Sequence, residues 1–288
     1  MKISGFTLVR NAERLDFPVE ASIRSILPIV DEVVVNVGRS DDHTLEIVRS
    51  IADPKIRILE TEWDFSRGES VLREETLRAM RACRHPWGIC IQADEVLHER
   101  GHSPLVRAIA AADADHRVEG IVVSYHHIFG DPGTEAVNRR WYRREVRAVR
   151  LDPALRLEPY RDAQGFRVGP EQRKVRARLA EAEMFHYGWL RSAAALAARG
   201  EVDRSLYPGR WVPPAGQGAV LRWFPGLRPF RGDHPKVAQP WVASRAVDPD
   251  RVVTPPFFAL ENLRFYASDL VERLSGIRPF EFRNYTLV

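Results

Sequence analysis

Two cysteines in 288 residues, Cys83 and Cys90, cannot build a disulfide framework, which excludes the small cross-linked secreted class. Cys90 lies in the apolar run Trp87-Gly88-Ile89-Cys90-Ile91 and reads as a small core residue. No apolar run approaches the roughly 18 residues of a bilayer span. The amino terminus has one positive charge, Lys2, and its apolar stretch ends at Arg10 without a small-residue cleavage site, so no secretory leader is expected. A reducing cytoplasm is the expected setting. Lysine is also scarce: of 43 basic residues only Lys2, Lys55, Lys174 and Lys236 are lysines. GC-rich coding produces such an arginine bias without any function, so the net charge of +4 and the pI near 9.3 do not by themselves imply a nucleic-acid partner. Internal repeats, low-complexity tracts and a clear domain linker are likewise missing.

The chain is long enough to bury a large core as one domain or one domain plus an appendage. Ile3 to Val9, Glu32 to Val37, Ile56 to Glu60 and Trp87 to Ile91 read as strands. Between them, Pro18 to Leu27, Thr44 to Ile51 and Arg67 to Cys83 carry apolar residues at helical spacing. This alternation predicts βαβ units and an α/β fold with a Rossmann-type, mostly parallel sheet flanked by helices. Beyond residue 115 the pattern loosens. Gly120 to Tyr125 and Lys174 to Phe185 read as strands, and Arg191 to Val202 and Ala259 to Leu274 as helices. Pro208 to Pro240, crowded with Pro, Gly and Trp, reads as an ordered loop or lid in an irregular C-terminal extension.

The fourth strand runs directly into Gln92-Ala93-Asp94-Glu95. A buried strand ending in carboxylates presents them at the carboxyl edge of the sheet, where open α/β sheets bind ligands. Asp94 and Glu95 are therefore expected to face a ligand, and such hard oxygen donors suit Mg²⁺ or Mn²⁺ bound together with a substrate's phosphates. A solvated acidic turn is the plain alternative. Farther on, Arg139-Arg140-Trp141-Tyr142-Arg143-Arg144-Glu145-Val146-Arg147 gathers guanidinium forks and two aromatic rings, which can bind phosphate and stack on a base or sugar. Alternation along an exposed strand gives the same pattern. His98-Glu99-Arg100-Gly101-His102 matches the H-E-x-x-H zinc motif, yet Gly101 within it and Pro104 after it argue against the continuous helix that motif needs.

Three segments together resemble family 2 glycosyltransferases of the GT-A fold: the first strand ending in Arg10-Asn11, the run Asn36-Val37-Gly38-Arg39-Ser40-Asp41-Asp42-His43-Thr44, and Gln92-Ala93-Asp94-Glu95. That family carries D-x-G-S-x-D-x-T after its second strand and D-x-D(-E) after its fourth. Here Asn36 and Gln92 stand where each motif has its leading Asp. The resemblance covers residues 1 to about 125. Arg140-Trp141-Tyr142-Arg143-Arg144, Tyr160 to Phe166, His186-Tyr187-Gly188-Trp189 and Gly232-Asp233-His234-Pro235 are similar to a bacterial subgroup of such transferases.

The resemblance implies a nucleotide-sugar-binding half, residues 1–125, and an acceptor-side half with a C-terminal lid, residues 126–288. It implies a divalent ion, Mn²⁺ or Mg²⁺, on Asp94 with His186 as second ligand. Arg10, Asn11, Asn36, Asp42, Gln92, Arg140, Trp141, Arg143 and Arg144 are the implied substrate-binding residues, although Asp42 also suits a cap on the helix opening at Thr44. Asp162 is the expected base for the acceptor hydroxyl, with Glu145 in reserve. The expected activity is metal-dependent, inverting transfer from a UDP- or GDP-sugar to a carbohydrate or glycolipid acceptor in surface polysaccharide or glycolipid assembly. The expected place is the cytoplasm, with peripheral association at the inner face of the membrane, and no nucleic-acid partner. A catalytically weak nucleotide-sugar-binding relative is the rival that the Asn36 and Gln92 replacements motivate. An RNA- or single-strand-binding protein and a zinc hydrolase are more distant ones.

Overall fold

The computed structural model describes residues 1–207, 220–246, 248, 250–255, 260–278 and 281–288. Strands β1 (Ile3–Val9), β2 (Glu32–Gly38), β3 (Ile56–Thr61) and β4 (Trp87–Cys90) alternate with helices α1 (Val19–Ile26), α2 (Thr44–Ser50) and α3 (Ser70–Arg81). β5 (Glu95–Leu97), α4 (His102–Asp113), β6 (Gly120–Phe129), β7 (Thr134–Ala136) and β8 (Arg144–Arg150) follow. β9 (Leu157–Tyr160), β10 (Gly165–Val168) and the long β11 (Arg173–Trp189) lead to α5 (Ala193–Leu206). The remainder is β12 (Val220–Leu221), β13 (Leu227–Pro229), α6 (Gln239–Ala243), β14 (Val252–Val253), α7 (Leu263–Ser275) and β15 (Tyr285–Leu287).

The main sheet has the order β3-β2-β1-β4-β8-β6-β11, continuing to β10 and β9. From β3 to β11 only β8 runs against the others, because it pairs antiparallel with both β4 and β6 while β6 and β11 are parallel. This is the α/β architecture expected of a GT-A-like chain: a mixed, mostly parallel sheet flanked by helices. β2 is buried along its whole length, as a strand covered on both faces must be. Its period of two sends Val33, Val35 and Val37 into the core under α1 and α4, and Val34 into the core under α3.

Every strand predicted in the first half is present, and the parallel registers Val9↔Val37 and Phe6↔Cys90 bring the ends of β1, β2 and β4 to one edge. The chain goes outward from β1 to β3 and returns to β4 on the other side of β1, which makes this edge a topological switch point. The acidic tetrapeptide is not the end of order. It turns directly into β5, which pairs antiparallel with β11 in the register His186↔Glu95. The C-terminal extension also returns to the sheet, where β15 lies parallel to β11. The loop or lid expected from Pro208 lies partly outside the described residues, as does Ala259 at the start of the expected last helix. No helix among the described residues is long and apolar enough to cross a membrane.

β6 and β11 are tied at their starts by Glu119, whose fully buried carboxylate accepts from Arg173 Nη1 at 2.7 Å and from the Arg176 backbone N–H at 3.0 Å. Burial alone would raise its pKa, but these donors outweigh that and hold it below the ordinary range. A lowered folded-state pKa adds stability that is present above the unfolded value, about 4.3 for Glu, and is lost as the pH falls. Glu119→Gln is therefore expected to cost about 2 kcal/mol near neutrality, the size of a hydrogen bond to a charged group. The difference from the parent should close as urea unfolding is repeated from about pH 5 down to about pH 2.

Candidate active site

Gln92-Ala93-Asp94-Glu95 folds as a tight turn because it binds itself: Glu95 N–H donates to the Gln92 carbonyl at 2.9 Å, and Gln92 N–H donates to Glu95 Oε2 at 3.0 Å. Contrary to expectation, Glu95 does not face a ligand. It is fully buried and clasped by Arg147 through Nη2 at 2.7 Å and Nε at 3.0 Å, with the Tyr125 hydroxyl donating at 2.7 Å. Alternation through the turn leaves Asp94 on the open side, and its backbone carbonyl accepts from Tyr187 N–H at 2.8 Å. That bond sets it against the end of β11.

There Asp94 Oδ2 stands 3.6 Å from His186 Nε2 and accepts from Arg191 Nη2 at 2.7 Å. Burial works to raise the Asp94 pKa, but His186, Arg191 and Arg199 together hold the carboxyl far below its ordinary value, so it is ionised. Arg191 is itself buried, which lowers its pKa to about 10. A further histidine, which no motif singled out, fixes the proton positions. His127 Nε2 lies 2.8 Å from the Tyr142 carbonyl, and a carbonyl only accepts, so that nitrogen carries the proton. Burial keeps His127 neutral by pushing its pKa well below normal. Its Nδ1 is then an acceptor for His186 Nδ1–H at 3.2 Å, which turns the other ring nitrogen of His186, Nε2, toward Asp94.

The space next to His186 Nε2 and Asp94 Oδ2 is open because residue 188 is glycine. A Cβ at Gly188 would lie 2.6 Å from His186 Nε2 and 3.0 Å from Asp94 Oδ2. An ionised carboxylate and an oriented imidazole beside this cradle are a donor pair that suits a divalent ion. Among the described residues no group of three or more His, Cys, Asp and Glu forms a complete protein-only site. His98 and His102 form none: His98 precedes a short turn, α4 begins at His102, and the His102 ring bonds to the Ser25 carbonyl. The zinc-hydrolase expectation has no support in this geometry.

Two cavities meet at this turn. The smaller, about 200 Å³, is walled by Leu8, Val9, Phe17, Trp63, Phe65 and Leu72, with Arg10 stacked 4.7 Å above the Phe65 ring. Trp63 reaches this place because Gly38 lacks a side chain, since a Cβ there would stand 2.6 Å from the indole. The larger, about 850 Å³, extends over His127, Arg140, Trp141, Trp189 and Phe265. Gln92, Asp94, Asp162, Arg199, Asp203 and Tyr207 line both. The Tyr207 hydroxyl donates to Asp162 Oδ2 at 2.8 Å. Asp203, 3.7 Å from Arg199 on α5, is a shared-wall carboxylate without any sequence signal beyond the i,i+4 pair.

Arg10, Gln92, Asp94, Arg140, Trp141, Asp162 and His186 are thus brought together around the cavities. Others are not. Asn36 is fully buried, donating to the Glu75 side chain at 2.8 Å and accepting from Thr61, so it ties β2 to α3 and faces no ligand. Glu145 is buried, accepts from Asn284 at 2.7 Å and lines neither cavity, which removes it as a reserve base. Asn11 accepts from Asp41 N–H, and Asp42 accepts from Arg14 N–H and Thr44 N–H, so both brace the loops after β1 and β2. Arg143 is held by Glu272 and Glu281, Arg144 is exposed at the start of β8, and neither lines a cavity. The arginine run is therefore split among core, ion pairs and cavity and forms no single nucleic-acid-binding face.

No protein-family model matches the chain, and no curated protein matches it. Among solved structures, TarS of S. aureus aligns at 16% identity over 52% of this chain and 28% of that chain, with a TM-score of 0.37. TarS residues 1–349 in complex with UDP-GlcNAc align at 18% identity over 48% and 41%, TM-score 0.35. Glucosyl-3-phosphoglycerate synthase from Mycobacterium tuberculosis, in complex with Mn²⁺, UDP and phosphoglyceric acid, aligns at 18% identity over 44% and 43%, TM-score 0.29. The chain spans less than half the length of each of these. Likeness at this level assigns neither a donor nor an activity.

Proposed function

We propose that the chain is a glycosyltransferase that moves a sugar from a nucleoside-diphosphate sugar to an acceptor hydroxyl. The observation that carries this reading is the pair of cavities sharing one wall of Asp94, Asp162, Arg199 and Asp203. An apolar slot lined by Trp63, Phe17 and Phe65 beside a larger polar chamber, joined at carboxyl and guanidinium side chains, suits a nucleoside on one side and an acceptor on the other. In this reading the donor half is residues 1–125 and the acceptor half residues 126–288. Trp63, Phe65 and Arg10 hold the base and ribose. Arg191 and Arg199 face the diphosphate. Asp94 and His186 would hold Mn²⁺ or Mg²⁺, which supplies charge stabilisation for the departing diphosphate.

Asp162, oriented by Tyr207, takes the proton of the acceptor hydroxyl as its oxygen bonds to the anomeric carbon and the bond to the diphosphate oxygen breaks. A single displacement of this kind inverts the anomeric centre. A carbohydrate or glycolipid acceptor at the inner face of the membrane, in surface polysaccharide or glycolipid assembly, fits the exposed apolar stripe Leu263, Tyr266, Leu270 and Leu274 on α7, whose Phe265 lines the acceptor cavity.

The test is calorimetry with UDP, GDP, CDP and dTDP, each with and without Mn²⁺, beside a donor-hydrolysis rate. One nucleotide should bind in a Mn²⁺-dependent way, and no binding of any would sink the reading. Asp162→Asn should keep that affinity and lower turnover about a hundredfold or more, because a base acts in the transition state. Equal loss of both would make Asp162 a structural partner of Tyr207. A second reading, a nucleotide-sugar-binding protein with weak catalysis, draws on Arg191, which already neutralises Asp94 at 2.7 Å. It predicts nucleotide binding without donor hydrolysis.

A further inference from the structure

We infer that the acceptor is anionic, carrying a phosphate or carboxylate on the sugar it presents, and that Arg140 and Arg264 beside Phe265 bind that anion. The inference rests on the transferase reading, in which the larger cavity takes the acceptor. Phe265 is buried at that cavity's wall, and three guanidinium carbons gather over its ring, those of Arg139, Arg140 and Arg264 at 5.8, 5.5 and 4.9 Å from the centroid. Cations sharing one ring repel each other, and an exposed cation–π contact returns only about 0.5–1 kcal/mol. Arg140 and Arg264 have no carboxylate within ion-pair distance among the described residues, whereas neighbouring Arg143 is held by two.

Charge is also sorted along the cavity. Its carboxylates, Asp94, Asp162 and Asp203, lie in the wall shared with the smaller cavity, whereas Arg140 and Arg264 line only the larger one. A donor diphosphate therefore meets Asp94, Arg191 and Arg199, and the Phe265 cluster is left to another anion. Trp141, stacked on Phe224 at 6.0 Å and 21°, supplies an apolar platform for a sugar face in the same cavity. Guanidinium forks bind phosphate and carboxylate bidentately, so the cluster distinguishes a charged sugar from its neutral counterpart.

The test is calorimetry on the full chain with glucose, glucose 6-phosphate, glucuronate and inorganic phosphate. Glucose 6-phosphate or glucuronate should bind at least about tenfold more tightly than glucose, the scale of one bidentate charged contact. Arg140→Gln combined with Arg264→Gln should erase that preference while leaving nucleoside diphosphate affinity unchanged. Arg140→Lys, which keeps the charge without the fork, should retain part of it. Equal binding of charged and neutral sugars, or a preference that survives the double variant, overturns the inference. Inorganic phosphate binding as tightly as glucose 6-phosphate overturns it too, since the cluster would then read free anion. If no nucleoside diphosphate binds but the charged-sugar preference holds, the transferase reading fails and the anion site stands.

Discussion

Asp94→Asn should abolish the Mn²⁺ dependence of nucleoside diphosphate binding and lower donor turnover about a hundredfold or more, the cost of losing an electrostatic stabiliser. Asparagine keeps the shape and removes the charge, so the effect reads the charge alone. The substitution also strands Arg191, a buried cation whose carboxylate partner at 2.7 Å is gone, and some loss of stability will accompany the loss of function. Gly188→Ala separates the two effects. It leaves every charge in place and fills the cradle beside His186 Nε2 and Asp94 Oδ2, so Mn²⁺ affinity should fall while the Asp94–Arg191 pair survives. Calorimetry of UDP or GDP with and without Mn²⁺ measures both. Unchanged Mn²⁺ dependence in Asp94→Asn would remove Asp94 as a metal ligand.

Arg147→Met should destabilise the chain by about 3–5 kcal/mol, the cost of leaving a buried carboxylate without its cation. Arg147 and Glu95 are both fully buried, and their two hydrogen bonds at 2.7 and 3.0 Å hold the turn from which Asp94 projects. The damage should reach the site, since Glu95 Oε2 also closes the turn on Gln92 N–H. Arg147→Met with Glu95→Gln should be less destabilised than Arg147→Met alone, because the orphaned charge is gone. Urea unfolding of the single and double variants measures this. A single variant as stable as the parent would show that Glu95 finds water or another donor.

The first four strands and three helices were legible in the sequence because each carries a local signal, a nearly unbroken apolar run for β2 and a period of about 3.6 for α3, and no distant partner is needed to read it. The gathering of Asn11, Asp42 and Asp94 at one edge followed as well, since parallel pairing sends successive strand ends to the same side of the sheet. Short pieces were less legible. β5 has three residues, too few to show a period, and it is a strand only because β11 pairs with it. Within the arginine run, neighbouring positions are chemically alike, and nothing local separates buried Arg147 from ion-paired Arg143 and cavity-lining Arg140.

The sequence by itself determined the α/β order of the first half and the carboxyl edge at which Asp94 stands, because apolar runs, helical spacing and turn residues are local properties. Only the tertiary structure decided which equivalent groups face the cavities. Asn36 and Glu145 found buried partners at Glu75 and Asn284, while His127, Asp203 and Gly188 came to the site from β6, α5 and β11. A side chain's role depends on which neighbour desolvates or bonds it, and for these residues that neighbour lies far away in the chain.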